Sequence, residues 1–343
     1  MHAKRKAEHL DICLHKDVRS AISNGLERYR LVHKALPEMA LADVELGTSF
    51  LGHPLGAPLL VSSMTGGTRE AHVLNLRLAE VAQHYGLAMG LGSQRAGIED
   101  PALMETYRVR SVAPNIALYA NLGAVQLIGG RGRVYGVAEC RRAVEAVEAD
   151  ALILHLNPLQ EALQPGGDTD FTGVLTSIED LCHDLDVPVI VKEVGWGLSG
   201  AVVRQLADAG VAALDVAGAG GTSWSEVERQ RGEGDADAVG APFSTWGIPT
   251  AEALVEARSV RSALPLVASG GICNGVEVAL CLGLGADLVG MAGALLGPAD
   301  RGVQALSDTL AVVLQQLRIA MFCSGARTVA ALRNSAVLRA GVD

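Results

Sequence analysis

The sequence predicts an α/β protein, a (β/α)8 barrel of the TIM type with an N-terminal extension. Eight short apolar runs recur along the chain, and segments of helical periodicity separate most of them. The runs are apolar throughout rather than alternating, and they end in Gly, Ser, Lys, Asn or His. Strands that alternate with helices form a parallel sheet. Strands without alternation are buried on both faces. Polar groups gathered at carboxyl ends are where a barrel places its site. Eight such runs favour closure over an open, doubly wound sheet.

In order, residues 1–57 precede the first run and read as an N-terminal extension packing on the barrel. Within it, 29–36 reads as a loop or short helix and 41–50 as a strand pair. The barrel occupies 58–343, with strands expected at 58–62, 88–91, 116–120, 151–156, 188–194, 213–216, 265–268 and 288–291. Helices are expected at 75–85, 136–148, 173–185, 198–209 and 275–282. The stretch 224–243 is polar and glycine-rich without apolar periodicity, and reads as a mobile loop on the site side, suited to a lid.

Composition narrows the function classes. Hydrophobic residues make up 49% of the chain but aromatics only 3%, and there are 40 glycines. Small aliphatic residues therefore build the core, as parallel strands under close helices require. A formal charge of -10 argues against a nucleic-acid surface. No apolar run reaches the ~18 residues of a membrane span, and the basic start is not followed by a signal-peptide core. Six scattered cysteines without a C-x-x-C pair read as reduced thiols in a cytoplasmic protein.

The most informative stretch is His155-Leu156-Asn157-Pro158-Leu159-Gln160-Glu161, where four polar side chains close the fourth run. Glu161 has no second ligand at metal spacing, which suits Mg²⁺ held by one carboxylate plus a substrate phosphate. Lys192 lies inside an apolar run. Its neighbour Glu193 points to the opposite face, so Lys192 is aimed into the barrel mouth. There it would serve as a Schiff-base lysine or as a cation beside an anionic cofactor ring. Ser269-Gly270-Gly271 and Gly290-Met291-Ala292-Gly293 end the seventh and eighth runs, where barrels bind phosphate through backbone N–H groups. Gly220-Gly221-Thr222-Ser223 adds a third loop. Met64-Thr65-Gly66-Gly67, Gly92-Ser93-Gln94-Arg95 and Asn121 end the first three runs, with Arg95 suited to bidentate phosphate recognition. Arg5, Lys6 and His9 would join only if the N-terminus folds over the mouth.

Together these motifs resemble the type 2 isopentenyl diphosphate isomerases, the flavin-dependent form of that enzyme. The specific pieces are His155-Leu156-Asn157-x-x-Gln160-Glu161 and Val191-Lys192-Glu193-Val194-Gly195. Arg5-Lys6-x-x-His9, Trp246-Gly247-Ile248-x-Thr250 and Gly325-Ala326-Arg327-Thr328 extend the resemblance over nearly the whole chain. The resemblance implies interconversion of isopentenyl and dimethylallyl diphosphate by a 1,3-allylic proton shift. It also implies reduced FMN as acid/base, Mg²⁺ on the diphosphate and NADPH as reductant. Ser63, Met64, Thr65, Ser93, Asn121, Lys192, Thr222, Gly270, Gly271, Ala292 and Gly293 would then hold FMN. Arg5, Lys6, Ser93, Gln94, Arg95, His155 and Gln160 would take the substrate, Glu161 the metal, and His155, Gln160 and Lys192 would be catalytic. The partner is a small diphosphate, with no membrane or nucleic acid, and the chain is expected to form a homo-oligomer.

Two rival enzyme classes meet the residues less well. An α-hydroxy-acid oxidase is expected to carry a His with a nearby Arg after its late strands, where this chain reads Ala217-Gly218-Ala219-Gly220-Gly221-Thr222. An inosine-monophosphate-dehydrogenase-like enzyme needs a nucleophilic cysteine after the sixth strand, and none of the six lies there. A non-catalytic nucleotide-binding barrel would have no use for Lys192, His155, Gln160 and Glu161 together.

Overall fold

The structure, a computed structural model, describes residues 2–129, 134–232, 236–335 and 337–339. Eight parallel strands close a barrel: β1 (Leu59–Val61), β2 (Ala88–Gly90), β3 (Leu118–Gly123), β4 (Ala151–His155), β5 (Val189–Lys192), β6 (Ala213–Asp215), β7 (Leu266–Ala268) and β8 (Leu288–Met291). Each strand pairs with the next in sequence, and β8 closes on β1 through Val289↔Leu59. Every expected run holds a strand. The third, expected at 116–120, is displaced, because Asn121 and Gly123 stay in the ladder opposite Ile153 and His155.

Helices cover the outside. The first, Arg69–Tyr85, starts earlier than expected because the Thr68 side chain caps it, accepting from the Ala71 N–H at 3.1 Å. Val303–Ser324 is long and apolar enough to cross a membrane by length and composition, which reading the sequence for apolar runs did not anticipate. Here it lies against the helices Gly275–Gly283 and Gly293–Arg301 and buries Leu306, Leu310, Val313, Leu317 and Met321. All six cysteines are free.

The apolar core of the barrel has two parts. The larger fills the space between strands and helices. The smaller lies inside the barrel and contains Leu60, Ala88, Tyr119, Ile153, Ile190, Ala213, Val267 and Leu288. A hairpin of Thr48–Phe50 and His53–Leu55 inserts Phe50 and Leu55 into that inner cluster and plugs the amino-terminal end of the barrel. Only Thr48–Phe50 of the expected 41–50 pair is strand, and its partner lies beyond that segment. The segment expected as loop or short helix at 29–36 contains the strand Tyr29–Leu31, paired antiparallel with Val337–Arg339 near the other end of the chain. That partner is too remote in sequence for local periodicity to reveal.

The stretch expected to be a loop at 224–243 is largely helical in its described residues: Trp224–Arg231, Ala236–Gly240 and a 3-10 turn at Ala241–Thr245. Residues 233–235 of that expectation lie outside the described residues. Helical spacing is supported by Arg229 paired with Glu226 and Arg231 with Glu228, while Val227 is fully buried against Ile12 and Val18.

Candidate active site

Side chains two residues beyond the inner apolar cluster face the same way along each strand. That step gives Ser62, Gly90, Asn121, His155, Lys192, Asp215, Ser269 and Gly290. The barrel interior thus changes from aliphatic to polar in one layer, at the carboxyl ends. Above it opens a cavity of about 770 Å³, within the ~300–1,000 Å³ usual for cofactor and ligand sites.

His155, Lys192 and Asp215 stand side by side, since His155 pairs in register with Lys192 and Lys192 with Asp215. Lys192 is 7% exposed and its ammonium donates to the Glu193 carbonyl. Glu193 points the other way, as expected, and its carboxylate accepts the N–H groups of Val194, Gly195 and Trp196. Burial pushes that carboxyl up to about 7 against those three bonds. His155 is held by Asn121, 2.8 Å between Nδ1 and Oδ1, which places the ring proton on Nδ1. Burial, then the charges of Lys192 and Lys6, push the imidazole down to about 3, so it stands neutral.

After β4 the chain turns into the helix Pro158–Leu163. Asn157 Nδ2 donates to Gln160 Oε1 and to Glu161 Oε1, both at 3.1 Å. Glu161 Oε2 accepts the Asp168 N–H at 2.7 Å and the Gln164 amide at 3.3 Å. The backbone wraps so closely that a Cβ on Gly167 would lie 2.0 Å from the Glu161 carbonyl oxygen, which only glycine permits. Asn157 Oδ1 is buried without a partner beside this carboxylate. One carboxylate and one unsatisfied oxygen fit a hard cation that takes its other ligands from phosphate and water. Among the described residues, no group of three His, Cys, Asp or Glu could hold a metal alone. Arg95 borders the cavity but is engaged by Asp168 at 3.0 Å and Glu99 at 2.8 Å.

The N-terminal helix His2–His15 crosses the mouth of its own barrel and brings Arg5, Lys6 and His9 to the cavity wall. Lys6 donates to the Ser93 carbonyl and to Tyr107 Oη at 2.6 Å, and lies 5.1 Å from the Tyr107 ring centre. Burial, then Arg5, push its ammonium down to about 7. His9 meets Glu228 at 2.9 Å, and Gln160 donates to the same carboxylate at 3.3 Å. Sequence reading missed Glu228, because it sits in the segment taken for a loop. Tyr107 was missed because nothing local marks it.

Another side of the cavity is formed by the loops after β1, β6, β7 and β8. Ser63, Met64, Thr65, Thr222, Gly270, Gly271, Ala292 and Gly293 all line the cavity, as do Ser93 and Asn121. The nine-residue helix beginning at Gly293 presents its N-terminus there, a natural phosphate position. Gly270 has φ 111°, and a Cβ on it would lie 2.1 Å from the Gly218 carbonyl oxygen, so this loop requires glycine. Thr250 locks the arrangement by donating to the Gly270 carbonyl at 2.7 Å. The hydroxyls of Ser62 and Ser63 are buried without partners and face the cavity. With Lys192 on the floor, these groups fit a flavin phosphate ester. Gln94 departs from expectation. It is fully buried away from the cavity, donates to the Ala143 carbonyl at 2.8 Å and accepts the Asn121 N–H at 2.9 Å. It braces Asn121 rather than meeting substrate.

Residues 166–339 match the family model described as FMN-dependent dehydrogenase. Solved structures share the fold: a mandelate oxidase superposes with a TM-score of 0.67 at 18% identity, covering 99% of this chain and all of that one. A lactate oxidase from Pediococcus acidilactici gives 0.68 at 16%, covering 96% and 86%. Fold and site together define an FMN-class barrel enzyme. An isopentenyl-diphosphate delta-isomerase from a Synechococcus species is 54% identical over 98% of this chain and 96% of its own length. One from Cronobacter sakazakii is 52% identical over 99% and 97%. The chain belongs to the isopentenyl-diphosphate delta-isomerase family.

Proposed function

We propose that the chain is the type 2, flavin-dependent form, interconverting isopentenyl and dimethylallyl diphosphate with reduced FMN, Mg²⁺ on the diphosphate and NADPH as reductant. The observation that carries this reading is one continuous cavity with two chemically different ends. Buried hydroxyls, glycine loops and Lys192 make a cofactor floor. Arg5, Lys6, His155, Gln160 and Glu161 make a wall suited to a diphosphate and its cation. His155 and Ser93 line the same cavity.

Reduced flavin supplies a proton donor and acceptor at its N5 region. The residues do the rest. Lys192 would supply a positive charge to the cofactor from the cavity floor. Neutral His155, fixed by Asn121, offers hydrogen bonding without a competing charge. Gln160, held between Asn157 and Glu228 on the cavity wall, would hydrogen-bond the substrate. Glu161 and the free oxygen of Asn157 would hold the cation, and the N-terminal helix with the Trp224–Arg231 helix would exclude water. The chain after β6 still lacks the His and Arg of a hydroxy-acid oxidase. An outward apolar strip on Val303–Ser324, including Val312 and Ile319, is the face we assign to self-association.

The test is anaerobic turnover of isopentenyl diphosphate with FMN, NADPH or dithionite, and Mg²⁺, omitting each in turn. Dimethylallyl diphosphate is expected only when reduced flavin and the metal are both present. Absence of product from protein with bound FMN would overturn the substrate assignment and send the assay to hydroxy acids.

A further inference from the structure

The interior polar layer contains a second charge that no part of the proposed chemistry uses. Asp215 is 2% exposed and does not border the cavity. Its Oδ1 accepts the Ser269 hydroxyl at 2.7 Å and the Ala217 N–H at 3.1 Å, while Oδ2 is buried with no hydrogen-bond partner. It sits in register beside Lys192, on the same face of the adjacent strand. Among the eight positions of that layer, Lys192 is the only cation and Asp215 the only carboxylate. A buried carboxylate is costly unless a charge compensates it, and a structural role alone would be met equally well by asparagine.

We infer that Asp215 is an electrostatic positioning residue: a buried counter-charge that offsets Lys192 and sets the charge beneath the cofactor ring. This rests on the FMN reading above. Oδ1 performs the architectural work, tying the loop after β6 to the loop after β7. Ala217, at φ 38°, is held in its left-handed turn by the bond to Oδ1. Oδ2 carries the electrostatic work. Burial pushes the Asp215 carboxyl up, and the charge of Lys192 beside it pulls the other way; the Lys192 hydrogen bond goes to the Glu193 carbonyl, so the two groups are coupled through space. With Asp215 ionised the layer is neutral; with asparagine there it is positive by one.

The experiment compares wild type with Asp215→Asn, in which an amide oxygen can still accept from Ser269 and Ala217. FMN affinity is measured first, by titrating the apoprotein, and then the two-electron potential of the bound flavin by anaerobic titration against a dye. Asp215→Asn is expected to bind FMN and to favour the reduced form at least tenfold more than wild type, about 30 mV for a two-electron couple. Bound flavin with an unchanged or lower potential overturns the inference and leaves Asp215 structural. Wild type that binds no FMN overturns the cofactor reading and this inference with it. If Asp215→Asn does not fold, Asp215→Ser, smaller and also neutral, carries the same expectation.

Discussion

Single residues here are defined by the company they keep in the barrel mouth. Lys6 illustrates this: two oxygens and an aromatic face hold it, yet burial and Arg5 bring its ammonium down to about 7. A lowered lysine is charged below that pH and neutral above it, and only the charged form attracts a diphosphate strongly. The pH profile of kcat/KM reports groups of the free enzyme. It is expected to fall as pH rises through about 7, and Lys6→Arg, charged throughout, is expected to flatten that limb. A limb of equal depth in both proteins would assign the titration to another group. His155 differs in kind: pushed down to about 3, it stays neutral throughout this range and adds no limb of its own.

At the scale of elements, the barrel strands were legible because each is a short run buried on both faces, and the loops because glycine and hydroxyl residues cluster at their ends. Lys192 could be read from a single charge in an apolar run. What escaped depended on partners distant in sequence. The Trp224–Arg231 helix has polar residues paired along its own length and to the N-terminal helix, and only one of its four buried residues, Val227, is aliphatic, so no apolar stripe announces it. Gln94 looked like a site residue because its neighbours Ser93 and Arg95 are, but the turn sends it inward. Thr250 belongs to a recognisable motif, yet its task of holding the Gly270 carbonyl appears only in three dimensions. Thr250→Val is expected to cost about 1–3 kcal/mol, the price of a buried carbonyl left unpaired. Since that carbonyl belongs to the loop proposed to hold flavin, FMN affinity should fall together with Tm. A drop in Tm with unaltered FMN affinity would separate the hydroxyl from the loop's binding geometry.

For the whole molecule, the N-terminal extension attends to both ends of the barrel. Its helix covers the mouth, and its hairpin seals the base with Phe50 and Leu55. The two tasks are separable. Phe50→Ala empties the base of the inner core and is expected to cost about 3–5 kcal/mol, seen as a lower urea midpoint. At temperatures where the protein stays folded, turnover should be unaffected, because the polar layer lies between Phe50 and the cavity. Reduced kcat in fully folded Phe50→Ala would show that the base and the mouth are mechanically linked.

The pairing of Tyr29–Leu31 with Val337–Arg339 also sets an order of events. The strand that follows the covering helix finds its partner beyond the eighth barrel strand. On a nascent chain that clasp cannot yet form, so the early segment emerges before the tail that fastens it. The clasp therefore waits for the whole barrel, and a segment made before β1 is secured only after β8 has been made.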